Sequence, residues 1–249
     1  YKLPFEKRRL RNIAPFMGIA GPGTLAGRLS MWHSDGSHAK LFDNAEDRID
    51  FTSARSFGIE MANILSDKIS LSPVLLYLFH RIQSSLDGSP TMIVLDEAWA
   101  LIGNQVFAPK IKDWLKVLRK LNTFVVFATQ SVEDAAKSSI SDTLVQQTAT
   151  QIFLPNLKAT PIYREVFMLS EREFTLVKTT DPSTRYFLVK QDNDGVISRI
   201  DLSGMDDVVR VLSARVETII LLDEIIDQVG DDPDDWLPIF YDRSRPTKH

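Results

Sequence analysis

Cysteine is absent from this chain of 249 residues. That excludes a disulfide framework and any thiolate metal site, and it fits a reducing compartment. No apolar run approaches the roughly 18–20 residues that a helix needs to cross a bilayer. Histidine occurs only at His33, His38, His80 and His249; their spacing matches no metal site, and no Ser-His-Asp arrangement is readable. A G-x-x-x-x-G-K-[ST] phosphate loop is missing as well. Gly21, Gly23 and Gly27 are wrongly spaced for one, and Arg28 and Ser30 are a poor substitute for its Lys-Ser/Thr pair. The first residue is Tyr rather than Met and no signal peptide is present, which points to a chain cut from a longer protein.

What is present is a chain with 44% hydrophobic residues, enough for one sizeable core or one core with a small appendage. The net charge of −4 argues against an extended nucleic-acid footprint. Charge is unevenly spread. The start is basic (Lys2, Lys7, Arg8, Arg9, Arg11), and the end is acidic (Asp223, Glu224, Asp227, Asp231, Asp232, Asp234, Asp235). Both ends read as solvated surface, or, more sharply, as contact surfaces for other parts of a larger assembly.

Residues 1–40 read as an irregular, partly helical lead-in, with a short helix over 24–31. From Ala39 the pattern changes to alternating strands and helices. The expected elements are short strands at 40–43 and 49–52, a helix at 56–66, and a strong helix at 72–85 with Ser72 as its cap and Pro73 at its first position. A Gly88-Ser89-Pro90 turn leads to the strand 91–95. An amphipathic helix over 109–121 is ended by Asn122 and followed at once by the strand 123–128; a helix at 132–147 and a strand at 151–154 come next. Such alternation implies a parallel sheet with right-handed crossovers and helices on both faces, here an α/β core over 41–157. Over 158–249 the expectation is short helices at 162–169 and 171–177 and a hairpin of 185–190 with 195–201 about Asp192-Asn193-Asp194-Gly195. Helices at 205–214 and 216–229 follow, the last stopped by Gly230.

Three sets of residues could carry chemistry. Thr91-Met92-Ile93-Val94-Leu95 runs straight into Asp96 and Glu97, the Walker B arrangement, in which a strand delivers an Asp to a magnesium shell through water and a Glu to the attacking water. The plain alternative is a carboxylate pair capping the next segment on a solvent edge. Phe124 to Ala128 is a second apolar strand, ending in Thr129-Gln130-Ser131; the Gln130 amide both donates and accepts, which suits sensing a terminal phosphate or orienting water. A loop-opening polar residue is the alternative. Transferring phosphoryl charge calls for cations, often from a neighbouring subunit: Arg119, Lys120, Arg172, Arg199 and Arg215 qualify, although ordinary surface charge is the better reading of any single one, and the first two also suit the C-terminus of a helix.

In order, the strings LDEAW (95–99), WLKVLRKLN (114–122) and ATQS (128–131) resemble the motor domain of the largest ATPases of bacterial type IV secretion systems, the VirB-four (TrbE/CagE-like) class. GPGTLAGRLSMWHSDG (21–36), LFDN (41–44), LSERE (169–173), RIDLSGM with VLSAR (199–215) and WLPIF (236–240) are similar to the same family, so the resemblance runs from about residue 14 to 240. It implies a RecA-like P-loop NTPase core with a C-terminal β-hairpin and helices, ATP and Mg2+ as ligands, Asp96 and Glu97 in Walker B, and Gln130 in the next motif. Arg119, Lys120 and Arg215 match basic family positions. It further implies a hexamer at the cytoplasmic face of the inner membrane, working with other secretion components in pilus assembly or transfer of DNA or protein. In the family the phosphate loop precedes the 21–36 region; its absence implies the C-terminal part of the motor, inactive alone. Two other readings stand beside this one: a docking module without catalysis, and a DNA-pumping motor of the coupling-protein class, which the acidic balance disfavours.

Overall fold

The computed structural model of the chain describes residue 4 and residues 7–97, 107–130, 132, 136, 141–213 and 215–245. The chain divides into two compact units, one of Tyr1–Thr148 with Pro161–Met168 and one of Ala149–Thr160 with Leu169–His249.

The first unit is organised around an amphipathic helix. Its lead-in consists of single helical turns, α1 (Leu10–Ile13), α2 (Leu25–Leu29), α3 (Ala39–Phe42) and α4 (Ala62–Ser66). The long helix α5 (Leu71–Ser85) follows, then β1 (Thr91–Leu95), α6 (Ala108–Lys120), β2 (Thr123–Phe127) and α7 (Ser141–Gln147). In α6 the apolar residues Ile111, Trp114 and Leu118 recur at helical spacing, and all three are buried. Trp114 stands edge-on to Phe79 of α5 at 4.2 Å between ring centroids, and Phe107 packs on the same ring at 4.5 Å. Ile93, Leu95, Val125 and Phe127 pack against this cluster from the sheet.

β1 and β2 are parallel, in register from Thr91 opposite Thr123 to Leu95 opposite Phe127. Asn122 sets the start of that register. It adopts φ +54, its carbonyl accepts the Thr91 N–H at 3.2 Å, and its side-chain amide donates to the Gly88 carbonyl at 3.3 Å. Because side chains alternate along a strand, Met92, Val94, Phe124 and Val126 share the opposite face, and they stand in solvent, Met92 59% and Phe124 58% exposed. Parallel sheets are ordinarily covered on both faces. Among the described residues the parallel sheet has two strands and cover on one side.

The expected strands at 40–43 and 49–52 do not form. The first is the helical turn α3, and around the second the Asp47 and Asp50 carboxylates accept the N–H groups of Ile49 at 3.1 Å and Thr52 at 2.8 Å. Such local side-chain bonds compete with a strand ladder. The helix read at 56–66 is confined to α4, preceded by the Glu60 carboxylate accepting the Ala62 N–H at 2.7 Å. Helix α5 begins a residue early, after Ser70, whose N–H and that of Ile69 point to the Asp67 carboxylate. Pro73 then lies in the first turn, where its missing donor is harmless. Of the helix expected at 132–147, residues 132, 136 and 141–147 are helical, and the others lie outside the described residues.

In the second unit, β3 (Thr150–Phe153) does not extend the parallel sheet. It pairs antiparallel with β4 (Tyr186–Gln191), which forms a hairpin with β5 (Asp194–Arg199) about Asp192 and Asn193. Between β3 and β4 come α8 (Ile162–Phe167), which belongs to the first unit, and α9 (Glu171–Thr179), which packs on β4. A capping box starts α9: Ser170 Oγ accepts the Glu173 N–H, and Glu173 Oε2 accepts the Ser170 N–H at 2.7 Å. The same Glu173 oxygen accepts from the buried Lys190 ammonium of β4 at 3.0 Å. Gly195 faces this pair, and a Cβ there would lie 2.9 Å from Glu173 Oε1, so a larger residue would displace that carboxylate oxygen. Helices α10 (Asp206–Leu212), α11 (Val216–Val229) and α12 (Pro233–Arg243) complete the unit. The last is an element the sequence pattern did not announce as a helix. Its signals are Asp232, whose carboxylate accepts the Asp234 N–H at 3.0 Å, and Pro233 at the first helical position.

Asp43 ties the segments of the lead-in to one another. Its side chain is 1% exposed and accepts the Arg11 N–H at 3.1 Å, Arg11 Nε at 2.6 Å and the Ser34 N–H at 2.9 Å. Burial opposes its ionisation, but the N–H groups of Ser34 and Arg11 and then the Arg11 guanidinium outweigh it and hold its carboxyl below the usual carboxylate range. A depressed folded pKa contributes stability that is complete above the unfolded value, about 3.9, and is lost as pH falls through the folded value. Asp43→Asn should therefore cost about 1–3 kcal/mol at neutral pH, because buried donors lose their acceptor. Urea unfolding of both proteins should show that gap narrowing below about pH 4; a constant gap down to pH 3 would contradict the assignment.

Candidate functional site

The carboxyl edge of the two parallel strands gathers the residues of interest. β1 ends at Leu95, and Asp96 and Glu97 form the turn that leaves it, Asp96 exposed and Glu97 partly so. The Ala128 N–H donates to the Leu95 carbonyl at 3.0 Å, so the ladder runs one rung past β2 before Thr129 and Gln130 depart. Asp96 with Glu97, and Gln130, thus leave neighbouring strands at the same edge. Adjacent strands lie about 4.8 Å apart, and ligands of open α/β sheets bind beyond this edge. Gln130 is exposed there.

Glu97 has φ +50, a left-handed conformation that a residue with a Cβ seldom adopts. Its N–H donates to Asp96 Oδ1 at 3.1 Å, so the first carboxylate of the pair holds the turn that displays the second. Sequence reasoning named both residues but not this division of labour, because no composition signal distinguishes a left-handed Glu from an extended one.

The cations are placed elsewhere. Arg119 and Lys120 end α6, two to three residues before Asn122, whose carbonyl binds the N–H of Thr91 at the start of β1. They therefore lie at the amino edge of the strands, about 17 Å from Asp96 by the rise of the five residues from Thr91 to Asp96. The structure does not bring them to the carboxyl edge of their own copy. Arg215 belongs to the second unit, where it precedes α11 and its carbonyl accepts from the Ile219 N–H at 3.0 Å and from Thr218 Oγ1 at 2.9 Å. Arg199 lies over the Tyr186 ring at 5.8 Å, and Arg172 is exposed on α9.

No group of three or more His, Asp or Glu among the described residues could enclose a metal. One exposed carboxylate still suits Mg2+, which keeps most of its waters and is held by one or two carboxylates together with substrate phosphates. Asp96 fits that requirement. The left-handed turn also makes a testable contrast: Glu97→Gly and Glu97→Ala both delete the carboxylate, yet the glycine variant should be more stable by about 1 kcal/mol, since only Ala retains a Cβ at positive φ. Equal thermal midpoints for the two would show that the turn is not left-handed in solution.

Comparison with known proteins identifies the family. Residues 25–197 match the TraG P-loop domain family. The type IV secretion system protein virB4 of Bartonella henselae is 38% identical over 243 residues, 97% of this chain and 31% of that protein. Brucella abortus virB4 is 34% identical over 229 residues, 89% of this chain and 28% of the relative. The type IV secretion system protein PtlC of Bordetella pertussis is 32% identical over 252 residues, 96% of this chain and 30% of the relative. The chain thus spans less than a third of the length of these relatives. The VirB-four resemblance carried by the sequence strings is borne out, and parallel strands with helices and a C-terminal antiparallel hairpin fit an α/β P-loop NTPase. With the match covering most of its length, the chain belongs to the TraG P-loop domain family.

Proposed function

We propose that this chain is the Walker B-bearing part of an ATPase that energises a type IV secretion system. One observation carries the reading: Asp96, Glu97 and Gln130 leave adjacent parallel strands at a single sheet edge. ATP with Mg2+ is the ligand this edge suits, the metal neutralising charge on the phosphates while Asp96 holds it through water. Glu97 accepts a proton from the hydrolytic water, and the Gln130 amide orients that water or reads the terminal phosphate. Arg119 and Lys120, remote from this edge in their own copy, act on a neighbour's nucleotide if they act at all, and Arg215 is a third candidate for that role. On this reading the protein works in the secretion system that the relatives' names print, as a hexamer at the cytoplasmic face of the inner membrane, joined to other secretion components and driving pilus assembly or substrate transfer.

Residues 1–249 hold no phosphate loop, so the principal contacts to the β- and γ-phosphates are not among them. They should bind ATP weakly or not at all; a micromolar dissociation constant with Mg2+ in calorimetric titration would contradict this. The uncovered apolar face of β1 and β2 favours a second reading, a docking module without catalysis. Glu97→Gln separates the two. In the protein carrying a phosphate loop it should lower hydrolysis by about 100-fold or more, the usual contribution of a general base, while nucleotide binding and assembly persist. Substrate transfer that survives this change would favour docking.

A further inference from the structure

The two oppositely charged ends of the chain have complementary surfaces. Residues 7–19 contain four cations and no carboxylate. Arg9 and Arg11 bind Asp43, which anchors the segment to the first unit. Beyond that anchor its apolar side chains face water: Phe16 is 82% and Ile19 91% exposed, with Ile13 and Met17 partly so. Exposed apolar groups held on a fixed base mark a contact surface.

The second unit carries the reciprocal. Between Arg215 and Arg243 there are nine carboxylates and no Lys or Arg. Along α10 and α11, Leu212 is 78%, Val216 72% and Ile220 53% exposed, with Val208 and Ile219 also open to solvent. On α11, Val216, Ile220, Asp223 and Asp227 follow one another at helical spacing, so one stripe passes from apolar to acidic. A cationic segment with projecting apolar side chains is the ligand such a stripe fits.

We propose that residues 7–19 of one copy dock on the α10–α11 face of a second copy. Phe16 and Ile19 cover Leu212, Val216 and Ile220, while Lys7 and Arg8 face Asp223 and Asp227. Each copy exposes both surfaces, so two copies pair reciprocally or further copies add head to tail, and the mass at saturation distinguishes the two. The proposal uses no residue of the Asp96–Gln130 edge and stands independently of the ATPase reading.

Sedimentation of the protein over a range of concentrations and salt tests it. Mass should rise with concentration at low salt and fall as salt screens the charges. Phe16→Asp with Ile19→Asp, both at exposed positions, should weaken association by roughly tenfold or more with the circular dichroism spectrum unchanged. Lys7→Glu with Arg8→Glu should weaken it, as should Asp223→Lys with Asp227→Lys, and combining the two swaps in one chain should restore it. A monomer at every concentration would overturn the proposal, as would association indifferent to these variants or dependent on only one of the two surfaces. Binding to phosphatidylserine-containing vesicles by a protein that remains monomeric, abolished by Phe16→Asp, would reassign residues 7–19 to a lipid surface.

Discussion

The packing of α6 against α5 and the inner face of β1 and β2 is the interaction on which the first unit depends. Two parallel strands cannot be joined by a tight turn, so their register has to be enforced by what lies between them and by what covers them. Here that is an amphipathic crossover helix whose Trp114, Ile111 and Leu118 interlock with Leu75, Phe79 and Phe107. Burial of this cluster fixes the direction of the chain into β2. The Asn122 turn then aligns Thr123 with Thr91, and at the far end of the five rungs Asp96 leaves β1 directly and Gln130 leaves β2 after Ala128 and Thr129, both at the carboxyl edge.

The same packing explains why the site is polarised. A crossover helix returns antiparallel to its strands, so its own C-terminus is delivered to the amino edge. Cations at that end, Arg119 and Lys120, are favourable for the helix dipole and remote from the carboxylates of the same copy. The carboxyl edge is left with Asp96, Glu97 and Gln130, groups suited to metal, water and a terminal phosphate but not to cradling a polyphosphate. The first unit also leaves the outer faces of its two strands uncovered, as the second leaves α10 and α11. Both patterns suit a part that works within an assembly.

Much of this was legible along the chain. The strands at 91–95 and near 123–127, the crossover helix, the hairpin about Asp192 and the helix Val216–Val229 were each announced by periodicity joined to a stop or turn residue. The readings that failed were local. Short apolar runs at 40–43 and 49–52 look like strands, but Asp43, Asp47 and Asp50 spend their carboxylates on nearby N–H groups and on Arg11 and Arg81. A buried carboxylate with three donors outweighs a weak strand propensity. The run at 150–153 has strand character in either unit; what decides its partner is the antiparallel register with Leu188 to Gln191, a contact that spans more than thirty residues.

By itself, then, the order of residue types determined the candidate site: an apolar strand running into Asp96-Glu97, a second ending at Gln130, no phosphate loop, and opposite charge at the two ends. These are properties of adjacent residues, and adjacency survives in any conformation. Only the tertiary structure decided that Gln130 shares an edge with the carboxylates, that Arg119 and Lys120 lie at the opposite one, and that Asp96 holds Glu97 in a left-handed turn. Those facts depend on register and on the direction of the crossover, which are set by burial of one face of α6 together with the Asn122 turn.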